Sequence, residues 1–271
     1  MKQLIKQTVY SSFKELNMLE QLEDELKAEL GLDFWDTIGI GFNYWPEDDS
    51  GQYEWESMPL DMVLLGSTTI SECTFGFLTE FSTVDDLSNA PIIQHEAIGL
   101  DKHSTLIARN FIDFLRLLIT TKSVFGLISE EDAEIDEVLD PTHELIFNRI
   151  QEKFQIHPFD SVKAYKQQLV QEREKSVVVQ TFNGIGVKRI KDHSNQQKID
   201  LDYTETDERI EERLLAFVKT VSLESVLAYI RDVQETSYID VPFPEKVTAA
   251  VKSLLQQHGF VNELRRLNSL Y

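Results

Sequence analysis

Apolar side chains at Val9, Phe13, Leu16, Leu19, Leu22, Leu26 and Leu30 are spaced by threes and fours. That spacing predicts an amphipathic helix, which Gly31 is placed to end. The pattern then shortens. Residues 37–44 read as a strand, the run PEDDSG at 46–51 as a turn, and Tyr53 to Trp55 as the return arm of a hairpin. Three further extended segments at 60–65, 74–79 and 91–95 are bounded by turn-forming residues, and together these segments predict an antiparallel sheet. STLIARN at 104–110 reads as another strand. Asn110 then caps a helix whose core face is Phe111, Phe114, Leu115, Leu118 and Ile119.

Residues 129–140, SEEDAEIDEVLD, are acidic enough to be an exposed helix or a boundary, with Pro141 restarting structure after them. Residues 144–154 and 159–171 read as helices broken by Pro158. Segments 176–182 and 185–190 flank Asn183-Gly184, a pair that supplies the positive φ angles of a tight hairpin turn. Helices follow at 205–220, 223–236, 245–258 and 262–271, and no internal repeat is present. The fold class expected is α+β in two domains. Residues 1–125 form an antiparallel sheet with flanking helices, and residues 126–271 are mainly helical with one β-hairpin.

A hydrophobic content of 42% with 16 phenylalanines is that of a folded globular protein. The first 22 residues carry polar groups every few positions, so they lack the apolar core of a signal peptide. The longest apolar stretches, 62–65 and 115–119, fall far short of the roughly 20 residues a membrane helix needs. One cysteine, Cys73, cannot form an internal disulfide; this agrees with a reducing compartment and makes the cytoplasm the expected location.

A net charge of −21 argues against direct nucleic-acid binding, which needs clustered cations. The distribution says more. Residues 28–101 contain no Lys or Arg, whereas an even spread of the 26 would place about seven there, and the same segment holds 15 Asp or Glu. Such a stretch favours a partner with a basic surface, although acidic surfaces also serve solubility.

Motifs for chemistry are sparse. Gly39-Ile40-Gly41 and Gly184-Ile185-Gly186 lack the third glycine of a dinucleotide fingerprint, and Asp48-Asp49-Ser50-Gly51 lacks the ligand spacing of a calcium loop. Histidines 95, 103, 143, 157, 193 and 258 are scattered without zinc-site spacing, and Cys73 has no basic sequence neighbour to activate it. No nucleophile elbow or phosphate-cradling loop occurs, and among 47 carboxylates no acid–base pair stands out. No cofactor, metal or catalytic residue is expected. The candidate binding set is Trp45, Glu47, Asp48, Asp49, Tyr53 and Trp55, aromatics on either side of an acidic turn. Aromatics anchor interfaces while carboxylates steer a basic partner. The alternative is that Trp45 and Trp55 pack in the core and the turn is merely solvated.

The runs PLDMVLLG, CTFGFLTEFSTVDDLSNAPIIQ and STLIARNFIDFLRLL resemble the SUKH superfamily, whose eukaryotic members include regulators of yeast cell-wall synthesis. The likeness lies in their order across residues 10–120. An initial amphipathic helix precedes a compact sheet with an aromatic strand at 75–78, and residues 107–118 run from a strand into an F-x-x-F-L helix. The resemblance implies an α+β fold used as an adaptable protein-binding surface, in bacteria often as an immunity protein that neutralises a competitor's toxin. It implies no catalytic residues. Many such toxins have basic substrate clefts, which an acidic binder would complement. The expected function is therefore a non-catalytic protein-binding module, an immunity protein against a basic toxin or a regulatory adaptor. The competing readings are an enzyme using carboxylates in a cleft between two domains and a structural component of an assembly.

Overall fold

The leucine spacing produces α1 (Lys14–Leu30), with Leu16, Leu19, Leu22 and Leu26 buried. Gly31 ends it at φ 70°, where an L side chain would be strained, and the N–H groups of Gly31 and Leu32 close on the carbonyls of Lys27 and Leu26. The helix starts later than the apolar spacing predicts. Phe13 stands at its N-cap in extended conformation and packs edge-on against Phe77 and Phe111 instead of joining the helix. The computed structural model describes residues 10–46, 57–69, 73–96, 102–128, 140–191, 196–198, 208–236 and 244–270.

The expected strand at 37–44 divides in two. Asp33 accepts the Asp36 N–H at 2.8 Å and caps the short helix α2 (Phe34–Ile38), whose Phe34 and Ile38, one turn apart, are buried. Only then does β1 (Ile40–Phe42) begin. The other expected arm of that hairpin, 53–55, lies outside the described residues, and β1 pairs with β2 (Met62–Thr68). Next come β3 (Cys73–Leu78), β4 (Ile92–Glu96) and β5 (Ser104–Ala108), giving one antiparallel sheet in chain order. Asn110 caps α3 (Phe111–Thr121) by accepting the Asp113 N–H at 2.9 Å, as the sequence predicts. The five-residue helix α4 (Val124–Ile128) follows. The acidic run 129–139 lies outside the described residues, and Asp140 caps α5 (Pro141–Phe154) through the Thr142 N–H.

After α6 (Val162–Ser176), β6 (Val177–Val179) and β7 (Val187–Lys188) form the expected hairpin. Its turn differs from the two-residue Asn-Gly type. Asn183 is not among the positive-φ residues, and its side chain bridges a longer loop by accepting from the Thr181 hydroxyl at 2.7 Å and the Ile185 N–H at 3.0 Å. The helices α7 (Glu208–Thr220), α8 (Leu223–Thr236), α9 (Glu245–His258) and α10 (Val261–Leu270) complete the chain described. The α+β class, with an antiparallel sheet first and a mainly helical remainder carrying one hairpin, is as expected.

Both faces of the sheet are covered. On one, Val63, Leu65, Phe75, Phe77 and Ile92 join α1, α3, α5 and α6 in a core reaching from Tyr10 to Leu169. On the other, Met62, Leu78 and Ile93 meet Met58 and Ile185 of the hairpin loop. Two-sided burial explains why MVLLGST and CTFGFL read as apolar runs rather than alternating patterns. A third cluster joins Leu60 and Phe81, at one end of the sheet, to residues of β6, β7 and α7 to α10. Among the described residues no helix is long and apolar enough to cross a membrane.

Candidate functional site

The end of α1, the short helix α2 and the segment after β1 each carry an exposed apolar group. Trp45 is 58% exposed and Trp35 44%, and Leu30 is also exposed. Trp35 is turned outward because Phe34 and Ile38 commit the opposite face of α2 to the core. Its ring lies over Gly41: a Cβ there would meet Trp35 Cε3 at 2.8 Å, so the close seat needs glycine. Trp45 stands edge-on to the buried Tyr44 ring, with centroids 6.3 Å apart at 90°, and its N–H donates to Asn43 Oδ1 at 3.2 Å.

Glu23 of α1 ties these segments together. One carboxylate oxygen accepts the Phe34 N–H at 2.9 Å and the other accepts the Tyr44 hydroxyl at 2.5 Å. The Tyr44 phenol is pushed strongly up, first by burial, then by its bond to Glu23 and by the charges of Glu23, Glu20 and Asp24, which marks a negative potential at this spot. Part of the acidic surface is neutralised nearby. Lys27 lies 3.8 Å from Asp33, Arg149 3.7 Å from Glu29 and Lys153 2.8 Å from Glu25.

Of the candidate binding residues, Trp45 is a surface residue; Glu47, Asp48, Asp49, Tyr53 and Trp55 lie outside the described residues. Trp35 escaped the sequence reading. The signal was present, since Asp33 is a helix cap and Phe34 and Ile38 are one turn apart, which leaves Trp35 on the solvent side.

Two acids of the cation-free stretch do not reach solvent at all. Asp61 and Glu80 are buried and pair with cations from later in the chain. Arg231 of α8 forms an ion pair with Asp61, Arg173 of α6 a two-pronged pair with Glu80, and Lys188 lies 3.1 Å from Glu80. Burial alone would raise the Glu80 pKa, but the bond to Arg173 and the charges of Arg173, Arg231 and Lys188 bring it down to about 2. The charge asymmetry along the sequence is thus partly cancelled in space.

Glu80, Phe81 and Ser82 adopt left-handed backbone angles in succession, φ 50°, 53° and 57°, closed by the Thr83 and Val84 N–H groups donating to the Thr79 carbonyl at 3.1 Å. Each such residue costs about 1–2 kcal/mol. Each is anchored. Glu80 meets Arg173, the Phe81 ring packs with Phe260 beneath the Arg231 guanidinium at 4.6 Å, and the Ser82 hydroxyl meets Glu263. Ring and pair contacts at these three positions offset the strain.

A second buried polar group lies between the sheet and α8. His95 sits between the Ser57 and Ser104 hydroxyls at 3.1 Å each, and burial followed by the neighbouring His103 pushes its pKa down to about 3, which keeps the ring neutral. Glu235 of α8 accepts the Ser104 N–H at 3.0 Å and the Asn183 side-chain N–H at 3.0 Å. Cys73 is buried, and burial followed by the Glu96 charge pushes its thiol up to about 12. Among the described residues, no group of three or more His, Cys, Asp or Glu is placed to hold a metal ion. No protein-family model matches the chain, and no curated protein matches it significantly.

Proposed function

We propose that this protein is a protein-binding module of the cytoplasm that engages a partner with a basic surface through the α1–α2–β1 face, as an immunity-type or regulatory adaptor. The observation that carries the reading is two exposed tryptophans, Trp35 and Trp45, whose sequence neighbours Phe34 and Tyr44 are both bonded to the Glu23 carboxylate. Exposed aromatics supply contact area at little ordering cost, and surrounding carboxylates accelerate encounter with a basic partner. The resemblance of residues 10–120 to the SUKH superfamily supports the same reading. In the sequence, Glu47, Asp48 and Asp49 come within four positions of Trp45.

The test is capture of partners from the native host with wild-type bait beside a Trp35→Ala/Trp45→Ala bait. A basic protein recovered by the first should bind the second about 30-fold more weakly, the effect of losing roughly 2 kcal/mol at an interface anchor. Thermal melts should show both baits folded at the temperature of the binding measurement, with any shift reporting the lost ring contacts to Gly41 and Tyr44. The association rate should fall as salt rises. A partner whose affinity ignores both tryptophans, or whose association rate ignores salt, refutes the assignment.

A further inference from the structure

Glu263, in the first turn of α10, is buried and faces the left-handed turn at 80–82. Its two carboxyl oxygens lie 2.9 and 3.0 Å from one atom, Ser82 Oγ. A serine hydroxyl carries a single proton and can donate it to only one of them. Ser82 can donate to either form of the carboxyl, but only the protonated form returns a bond to Ser82 Oγ. In that form the carboxyl O–H donates to Ser82 Oγ while the carbonyl oxygen accepts the serine proton, so both oxygens are served. We propose that Glu263 is a pH-sensitive latch: protonated, it pairs with Ser82 and holds α10 on the 80–82 turn; ionised, it loosens α10 and frees the turn.

The surroundings decide which form burial tolerates. From the turn come Ser82 and Thr79, and from the segment before α1 comes Tyr10, whose phenol is pushed up chiefly by burial and pulled back by Ser82 and Thr79 beside it. Asp61, before β2, opposes a second negative charge, although its own charge is paired with Arg231. The Glu263 backbone N–H, the Ser82 hydroxyl and the Arg266 charge favour ionisation, and Arg266 also donates to the Leu60 carbonyl. Burial outweighs these and raises the Glu263 pKa to about 7.

The sign follows from proton binding. Between the ordinary carboxylate range and about pH 7 the docked form holds a proton that the open form has lost. Docking is therefore strongest below that range, weakens as pH rises through about 7, and is flat beyond. What remains holding α10 after ionisation is Leu267 in the core, the partly buried Leu264 and Leu270, and Arg266 on Leu60. Its release would also remove the Ser82 anchor of the left-handed turn and uncover Phe81 beside Phe260.

Amide hydrogen exchange in the wild-type protein, corrected for intrinsic rates, should show the α10 amides opening about tenfold more at pH 8 than at pH 6. Carbon-13 NMR of the Glu263 side chain should give a titration midpoint near neutrality. Glu263→Gln, whose amide reproduces the protonated pairing, should make α10 protection independent of pH over that range. Ser82→Ala should lower protection at every pH. The latch is overturned by a wild-type Glu263 that titrates in the ordinary carboxylate range, by pH-independent α10 exchange, or by a Gln variant that keeps the wild-type pH response. If that variant does not fold, the two wild-type measurements decide alone.

Discussion

Arg231→Met should destabilise the protein by about 3–5 kcal/mol, the cost of removing one partner from a buried ion pair. The Arg231 guanidinium is buried, bonds Asp61 and the Gly186 carbonyl, lies 3.8 Å from Glu80 and covers the Phe81 ring. Methionine fills similar space but leaves the Asp61 carboxylate in the core with, among the described residues, the Phe81 N–H at 3.2 Å as its one remaining donor. Urea titration measures the loss, which should hardly change between low and high salt because ions do not reach the pair. Adding Asp61→Asn should recover part of it, since the stranded charge goes, and a double-mutant cycle gives the coupling. Acid should act on the same cluster. With its pKa held near 2, Glu80 contributes stability that is present above the ordinary carboxylate range and disappears as pH falls from there through about 2. An unfolding free energy that stays constant from pH 5 to pH 2 would contradict this.

Phe114→Ala should cost a comparable 3–5 kcal/mol by a different route. Its ring is buried on α3 and makes edge contacts with Phe75 at 5.2 Å and Phe42 at 6.3 Å, which join α3 to β3 and β1 across the first core. Truncation removes apolar transfer energy and leaves a void between rigid elements that cannot close fully. Unlike Arg231→Met, it should show no dependence on acid beyond that of the wild type. A loss below about 1 kcal/mol in denaturant titration would mean that the α3–sheet packing is looser than the ring contacts indicate.

Local signals were readable where a single residue type settles the geometry. Gly31 ends α1, Asn110 caps α3, and the apolar spacings of α8 and α9 mark their helices to the residue. The left-handed turn was not readable. Thr79-Glu80-Phe81-Ser82 contains no glycine or asparagine, and its conformation exists only because residues some 90 to 180 positions later hold it. The hairpin at Asn183 was readable but its turn type was not, for a related reason: the asparagine side chain, rather than a positive φ at Asn183, shapes the turn. Charge was partly misleading as well. Asp61 and Glu80 counted towards an acidic surface, yet their partners Arg231 and Arg173 lie outside the stretch in which they were counted. At the candidate site, the exposure of Trp45 was one of two open alternatives, and Trp35 needed the α2 cap to be recognised.

The chain-order arrangement of the sheet bears on the order of assembly. Each strand hydrogen-bonds its nearest neighbours in sequence, so the meander closes through connections far shorter than the contacts to α8 and α10 require. The Asp61–Arg231 and Leu60–Arg266 contacts join positions 170 and 206 residues apart, and such loops are costly to close until their surroundings are in place. Sheet and first core should therefore belong to the folding nucleus, with the ionic contacts to α8 and α10 arriving after the rate-limiting barrier. In stopped-flow chevrons, Phe114→Ala should slow refolding, whereas Arg231→Met should leave refolding almost untouched and accelerate unfolding. Long-lived folding of this protein then depends on the contacts made last, because they alone must break before the rest can open.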